Sequence, residues 1–170
     1  MSIMKRLAAV FFLIYFLSGC VLEKNEGADI KVGDILPEFE VLMNDGSAVT
    51  DDYLKGSVSA VMFFHTSCPD CQQTLPRMQT IYDEYTPKGV KIVLISRDEG
   101  ESDIMSYWSE NDLNMPYSAQ NDRDVYELFA TSRIPRIYIS DEKGIVRYIY
   151  TDDPIPSYDE LKSSLDSLIR

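Results

Sequence analysis

Histidine, cysteine and basic residues are all scarce in this sequence. The 170 residues include one histidine and three cysteines, too few for most metal sites and for a fold built on disulfides. Lysine and arginine number 16 against 28 aspartates and glutamates, so the formal net charge is −12. Such a chain lacks the basic surface with which nucleic-acid-binding proteins neutralise phosphates. Nucleic acid is therefore not an expected partner.

The sequence does contain enough apolar residues for one ordinary domain. Hydrophobic residues make up 45% of the chain and aromatic residues 11%, which argues against intrinsic disorder. A chain of 170 residues is long enough to bury its own hydrophobic core without disulfides or metals. We therefore expect a single acidic, folded domain.

The first residues have the pattern of an export signal. Lys5 and Arg6 precede an apolar run of eleven residues, 7–17, which is too short for a permanent membrane helix but typical of a secretory signal. The run ends in Leu-Ser-Gly before Cys20, which resembles the lipobox of bacterial lipoproteins; a cleaved signal with a chance cysteine is the alternative. We predict a lipoprotein signal peptide over residues 1–19. Lipid on Cys20 would then hold the protein at a membrane of the bacterial cell envelope, with its folded domain in the periplasm.

Residues after the signal divide into a tether and a domain. Residues 20–31 are polar and without periodicity, which predicts a flexible tether. Residues 32–170 alternate strand and helix patterns and predict an α/β fold, a mixed sheet with helices on both faces. The predicted strands are 57–64, 90–96, 137–139 and 145–150, with a hairpin over 39–50; the predicted helices are 68–85, two short ones near 104–108 and 125–129, and one that begins at the capping box Ser157–Glu160.

Two cysteines lie where a predicted strand passes into a predicted helix, as Cys68-Pro69-Asp70-Cys71. Proline suits the first helical position, which makes Cys68 the N-cap residue. Unpaired backbone N–H groups at the helix N-terminus then face its sulfur and favour a nucleophilic thiolate. Cys71 follows one turn later, close enough to form a disulfide with Cys68. In an alternative register Ser67 is the cap and Asp70 is a capping-box carboxylate.

Three functions of this cysteine pair are possible. A purely structural disulfide between residues three apart closes almost no loop and would stabilise little. Soft thiolates suit Cu(I), so Cys68, Cys71 and His65 could instead form a copper-handling site. Redox catalysis is the function that the motif favours most. No nucleotide or flavin motif is present, and we expect no bound cofactor.

The sequence resembles the thioredoxin fold, specifically the TlpA/ResA-like thiol-disulfide oxidoreductases, over residues 32–170. The resemblance rests on the Cys-Pro-Asp-Cys motif after a buried strand, on Pro76 five residues beyond it, and on Ile134-Pro135 before a strand. The N-terminal β-hairpin and a central helical insertion over about residues 99–130 also resemble this family rather than thioredoxin itself.

The resemblance implies a role for each site residue. Cys68 would attack a disulfide, Cys71 would resolve the mixed disulfide, and Pro135 would be a cis proline that packs against the pair. Pro76 would kink the active-site helix. The implied partners are disulfide-containing client proteins and a membrane electron-donor protein of the DsbD kind.

The sequence departs from the family at the usual proton acceptors. Thioredoxin's buried acid aligns with Met62, and the glutamate of ResA-like proteins aligns with Thr74, so both carboxylates are missing. The aromatic residue that usually precedes the first cysteine is Ser67. His65 is the only nearby imidazole. It could stabilise the Cys68 thiolate, accept a proton from the second cysteine, or face solvent.

Asp70 and Arg136 are predicted to tune the reduction potential of the cysteine pair. Asp70 lies between the two sulfurs, where its charge suits a helix N-terminus but repels a thiolate. A less stabilised thiolate lowers the reduction potential, which favours a reductant. Arg136 could offset this repulsion if its guanidinium reaches the loop, or it could point away. A peroxiredoxin is less favoured, because its motif would need Pro and Thr in place of Val61 and His65.

Overall fold

The computed structural model describes residues 29–169, so the predicted signal peptide, Cys20 and most of the predicted tether lie outside the described residues. None of the helices formed by residues 29–169 is long and apolar enough to cross a bilayer. The strands are β1 (Glu40–Leu42), β2 (Ala48–Thr50), β3 (Ser59–Phe64), β4 (Lys91–Ser96), β5 (Tyr117–Ser118), β6 (Arg136–Ser140) and β7 (Val146–Tyr150). The α-helices are α1 (Asp51–Leu54), α2 (Pro69–Tyr85), α3 (Glu101–Glu110), α4 (Asp124–Glu127) and α5 (Tyr158–Leu168).

The central sheet has five strands in the order β5-β4-β3-β6-β7. Strand β3 runs parallel to β4 and antiparallel to β6, which confirms the predicted mixed sheet. The predicted N-terminal hairpin is also present, as the antiparallel pair β1–β2. Strand β5 was not predicted, because two residues are too few to show an alternating pattern. It pairs with the edge of β4 inside the predicted helical insertion.

Helical segments cover both faces of this sheet. Successive side chains on a strand point to opposite faces, so Phe63 and Phe64 of β3 lie on different faces of the sheet. The Phe63 ring packs against Tyr126 of α4, with ring centroids 5.3 Å apart. The Phe64 ring packs against Trp108 of α3 at 5.2 Å. The prediction of helices on both faces is therefore confirmed.

The active-site helix α2 packs against the C-terminal helix α5. Helix α2 runs from Pro69 to Tyr85 with Pro76 inside it. The Tyr85 hydroxyl donates to Asp166 of α5 at 2.7 Å. Helix α5 begins at the predicted capping box, in which Ser157 and Glu160 bond reciprocally to each other's backbone N–H groups.

The last residues of the predicted tether contact the domain. Residues 29–31 were assigned to the tether, but the Asp29 carboxylate accepts from the backbone N–H of Thr131 at 2.8 Å. The Ile30 N–H donates to the Phe129 carbonyl at 3.0 Å, and Gly33 N–H donates to β7 at 2.8 Å. These contacts depend on distant partners, which a polar sequence without periodicity does not indicate. Asp29 and Ile30, which belong to the predicted tether, are therefore hydrogen-bonded to the domain.

Candidate active site

The Cys-Pro-Asp-Cys motif joins the end of β3 to the start of α2. Pro69 occupies the first turn, and Cys68 is the N-cap residue with extended backbone dihedrals. The Cys68 sulfur accepts from the Cys71 backbone N–H at 3.4 Å. The register with a cysteine cap is therefore the one adopted, and the alternative cap at Ser67 is not.

The two cysteines differ in their access to solvent. Both are free thiols; Cys68 is half-buried, whereas Cys71 is fully buried. Burial raises the pKa of the Cys71 thiol strongly, against the hydrogen bond from the His65 backbone N–H, which lowers it. The neighbouring Cys68 and Asp70 raise it further. This arrangement leaves Cys68 as the accessible nucleophile and keeps the Cys71 thiol protonated.

Pro135 lies beside the first cysteine. The Ile134–Pro135 peptide bond is cis, as the resemblance implies. The Cys68 sulfur is 3.6 Å from the Ile134 carbonyl oxygen, to which it can donate. The Tyr126 hydroxyl supports this loop by donating to the Arg133 carbonyl at 2.7 Å. The cis-proline loop and the cysteine motif thus meet at one edge of the sheet.

Arg136 does not tune the cysteine pair by direct contact. Its guanidinium contacts the Asp29 carboxylate at 2.7 Å and the Ser132 carbonyl at 2.7 Å. Of the two predicted orientations, the structure has the one that points away from the motif, because the docked N-terminal segment supplies an anion there. Asp70 consequently has no ion-pair partner among residues 29–169.

The His65 ring faces Glu99 and Ser67 rather than a sulfur. Its Nδ1 atom is 3.4 Å from the Glu99 carboxylate and 3.0 Å from the Ser67 hydroxyl. The Ser67 backbone N–H also points at Nδ1, at 3.2 Å. His65 meets the cysteines through its backbone: its carbonyl accepts from the Cys68 N–H at 3.0 Å.

Glu99 is a site residue that sequence reasoning missed. It is 5% exposed, and its carboxylate accepts from both the backbone N–H and the hydroxyl of Thr66, the N–H at 2.8 Å. Met62 and Thr74, where related proteins carry acids, are fully buried and unionisable. The position of Glu99 could have been inferred from the strand order, since β3 and β4 are parallel neighbours whose carboxyl ends meet at one edge of the sheet. The polar residues after β4 therefore lie beside the motif after β3.

The copper-binding set is not assembled in this structure. Across residues 29–169, no three side chains of histidine, cysteine, aspartate or glutamate converge in a way that could hold a metal ion. The His65 Nδ1 atom instead contacts Glu99 and Ser67.

Comparison with known sequences agrees with this geometry. A family model described as the AhpC/TSA family matches residues 32–149. The thiol-disulfide oxidoreductase ResA of Oceanobacillus iheyensis is 30% identical over 130 residues, which cover 74% of this chain and 68% of that protein. ResA of Bacillus cereus is 26% identical over 138 residues, which cover 81% of this chain and 77% of that protein.

Solved structures share the thioredoxin-like fold. The thioredoxin domain of a thiol-disulfide oxidoreductase from Bacteroides vulgatus has a TM-score of 0.72 at 20% identity, covering 84% of this chain and all of that one. A thioredoxin-family thiol:disulfide interchange protein from Chlorobium tepidum has a TM-score of 0.70 at 21% identity, with the same coverage of both chains. At these identities the likeness establishes the fold.

Proposed function

Because the chain belongs to the AhpC/TSA family and is a thiol-disulfide oxidoreductase similar to ResA, we propose that it reduces disulfide bonds in proteins outside the cytoplasm. The observation that carries the proposal is the unequal cysteine pair. Cys68 is accessible at the helix N-terminus, and Cys71 is buried one turn behind it. A pair of this kind can attack a large substrate with one sulfur and release it with the other.

The proposed reaction moves two electrons to the client in two exchanges. The Cys68 thiolate attacks one sulfur of the client disulfide, so a mixed disulfide forms and the other client sulfur leaves as a thiolate that takes up a proton. Cys71 then loses its proton and attacks the Cys68 sulfur. The Cys68–Cys71 disulfide forms, and the second client sulfur leaves and is protonated. The client is reduced and the protein is oxidised.

The electrostatics of the motif support reduction as the direction. Asp70 lies between the two cysteines and has no ion-pair partner among residues 29–169, so its charge opposes the stabilisation that the helix N-terminus gives the Cys68 thiolate. We expect a potential nearer thioredoxin's value of about −270 mV than DsbA's of about −120 mV. Equilibration with glutathione measures the potential, and Asp70→Asn should raise it. A lower potential in this variant would contradict the assignment.

The proposed location follows from the first twenty residues. The basic start, the eleven-residue apolar run and Leu-Ser-Gly before Cys20 support signal cleavage at that cysteine and its lipidation. A lipid-anchored reductant would draw electrons from a membrane protein of the DsbD kind. Mass spectrometry of the native protein should find a lipid adduct on Cys20. An unmodified Cys20 within a longer N-terminus would exclude the anchor.

A trapping experiment tests the function directly. Cys71→Ser should accumulate mixed disulfides with clients in cells, because the resolving thiol is gone. The matched control Cys68→Ser should accumulate few, because it lacks the nucleophile. The adducts should disappear on treatment with dithiothreitol, and their identification would name the clients. If Cys71→Ser forms no adducts while the reduced domain binds Cu(I) tightly, copper handling replaces disulfide reduction.

A further inference from the structure

Thr66, two residues before the first cysteine, forms hydrogen bonds through its N–H, its hydroxyl and its carbonyl. Its backbone N–H and its hydroxyl both donate to the Glu99 carboxylate. Its carbonyl accepts from the Gln72 side-chain amide of α2 at 2.7 Å. Thr66 is buried, so these bonds are shielded from water and fix the chain between β3 and α2.

The same carboxylate reaches the residues that touch the cysteines. Its Oε1 atom is 3.4 Å from Nδ1 of His65, and the His65 backbone carbonyl accepts from the Cys68 N–H at 3.0 Å. Nδ1 can accept from Ser67 or donate to Glu99, but one nitrogen cannot do both at once. The position of the ring proton therefore decides which contact forms.

We propose that Glu99 is a positioning residue for thiol–disulfide exchange. Through Thr66 and His65, its buried carboxylate fixes the turn from which Cys68 attacks. Glu99 comes from the loop after β4, so it links a neighbouring strand to the cysteine motif. The proposal rests on the proposed function for the reaction that it names. Its two measurements test the geometry of the turn.

Other charged groups near His65 are few. Helix α2 brings Asp70 and Cys71. Helix α3 brings Tyr107, whose pKa is raised by burial. In the loop after β4, the Arg97 guanidinium pairs with Asp98 at 2.9 Å. Glu99 is the anion in contact with the ring, which makes it the group to vary.

The first measurement is the rate at which iodoacetamide alkylates Cys68 in a Cys71→Ser background. Glu99→Ala should lower this rate about tenfold, since a displaced nucleophile reacts slowly. Glu99→Gln should stay within about twofold of the parent, because its amide oxygen still accepts from the Thr66 N–H. Glu101→Gln, an exposed acid two residues away, is the matched control and should change nothing.

The second measurement uses the fact that the chain has one histidine. In untagged protein the ring ¹⁵N signals therefore belong to His65 without further assignment. Glu99→Gln should lower the fraction of rings that carry a proton on Nδ1, because the anionic acceptor is removed. Glu101→Gln should leave that fraction unchanged. A residue with a purely structural role would leave the ring signals of a folded variant unaltered.

The outcomes separate the two proposals. Unchanged ring signals in Glu99→Gln would overturn the positioning role. It would also be overturned if Cys68 in Glu99→Ala is alkylated as fast as in the parent, or more slowly only in proportion to the unfolded fraction measured by circular dichroism. If Glu99→Ala does not fold, Glu99→Gln still gives the ring measurement. Neither measurement needs a client protein. Failure of the cellular trapping experiment would therefore leave this inference testable, and the reverse also holds.

Discussion

Two loops that meet at the cysteine pair are secured by the same arrangement. In the loop before the first cysteine, Glu99 accepts from the backbone N–H and the hydroxyl of Thr66. In the loop before the cis proline, Asp29 accepts from the backbone N–H and the hydroxyl of Thr131, at 2.8 and 2.9 Å. The chain thus uses an acid–threonine pair twice, once in each of these two loops.

The two pairs differ in burial and in the base beside them. The Glu99 side chain is 4% exposed and faces the imidazole of His65. The Asp29 side chain is 34% exposed and faces Arg136, which is always charged. Burial strengthens the first pair, whereas solvent screens the second. The first pair is the one to which we assign a positioning role, and the second holds residues 29–31 to the domain.

The largest expected difference is in stability. Glu99→Ala leaves a buried N–H without an acceptor and should lower the free energy of unfolding by about 2 kcal/mol. Asp29→Ala should cost about 1 kcal/mol or less, because water can replace the lost carboxylate. Urea denaturation of both variants measures the two values. Equal losses would show that burial does not distinguish the pairs.

A smaller difference is expected when only the hydroxyl is removed. Thr66→Val keeps the backbone N–H bond to Glu99 but loses the second bond, and should cost about 1 kcal/mol. Thr131→Val, at an exposed position, should cost about half as much. Thermal unfolding of the two variants compares them directly. A larger loss for Thr131→Val would reverse the order of the pairs.

The smallest effect is a pH dependence specific to the exposed pair. Partial burial raises the pKa of Asp29, but hydrogen bonds from Thr131 and the charge of Arg136 outweigh it, so the pKa is lowered. A lowered pKa stabilises the fold above the unfolded carboxyl's pKa, and this contribution is lost as pH falls through the folded value. The stability advantage of the parent over Asp29→Asn should therefore be full near pH 7 and should shrink as the pH falls below the ordinary aspartate value of 3.8. A gap that does not change with pH would contradict this assignment.

Local signals in the sequence predicted much of the fold. Pro69 at the first helical position identified the start of α2, and the Ser157–Glu160 capping box identified the start of α5. Both depend on residues within one helical turn, which is why sequence alone was sufficient. The buried strands were predictable for a similar reason, since their apolar runs are continuous along the chain.

The acid–threonine pairs were not predicted because their members are far apart in the sequence. Glu99 lies 33 residues from Thr66, and Asp29 lies 102 residues from Thr131. Only the tertiary fold brings such residues together. The direction of the Arg136 side chain depended on the docked N-terminal segment in the same way. The parallel pairing of β3 with β4 is the intermediate step from which the position of Glu99 could have been inferred.

If Cys20 carries the proposed lipid, the contact between Asp29 and Thr131 would also limit how far the domain can move from the membrane. With lipid on Cys20, nine residues lead to Asp29, and at about 3.5 Å each they span at most about 30 Å. A free segment that continued to Lys31 would reach about 40 Å. In a lipid-anchored protein, the shorter segment would keep the cysteines closer to the bilayer. There, a membrane-embedded partner would meet them at a local concentration in the millimolar range, while a freely diffusing protein would gain nothing.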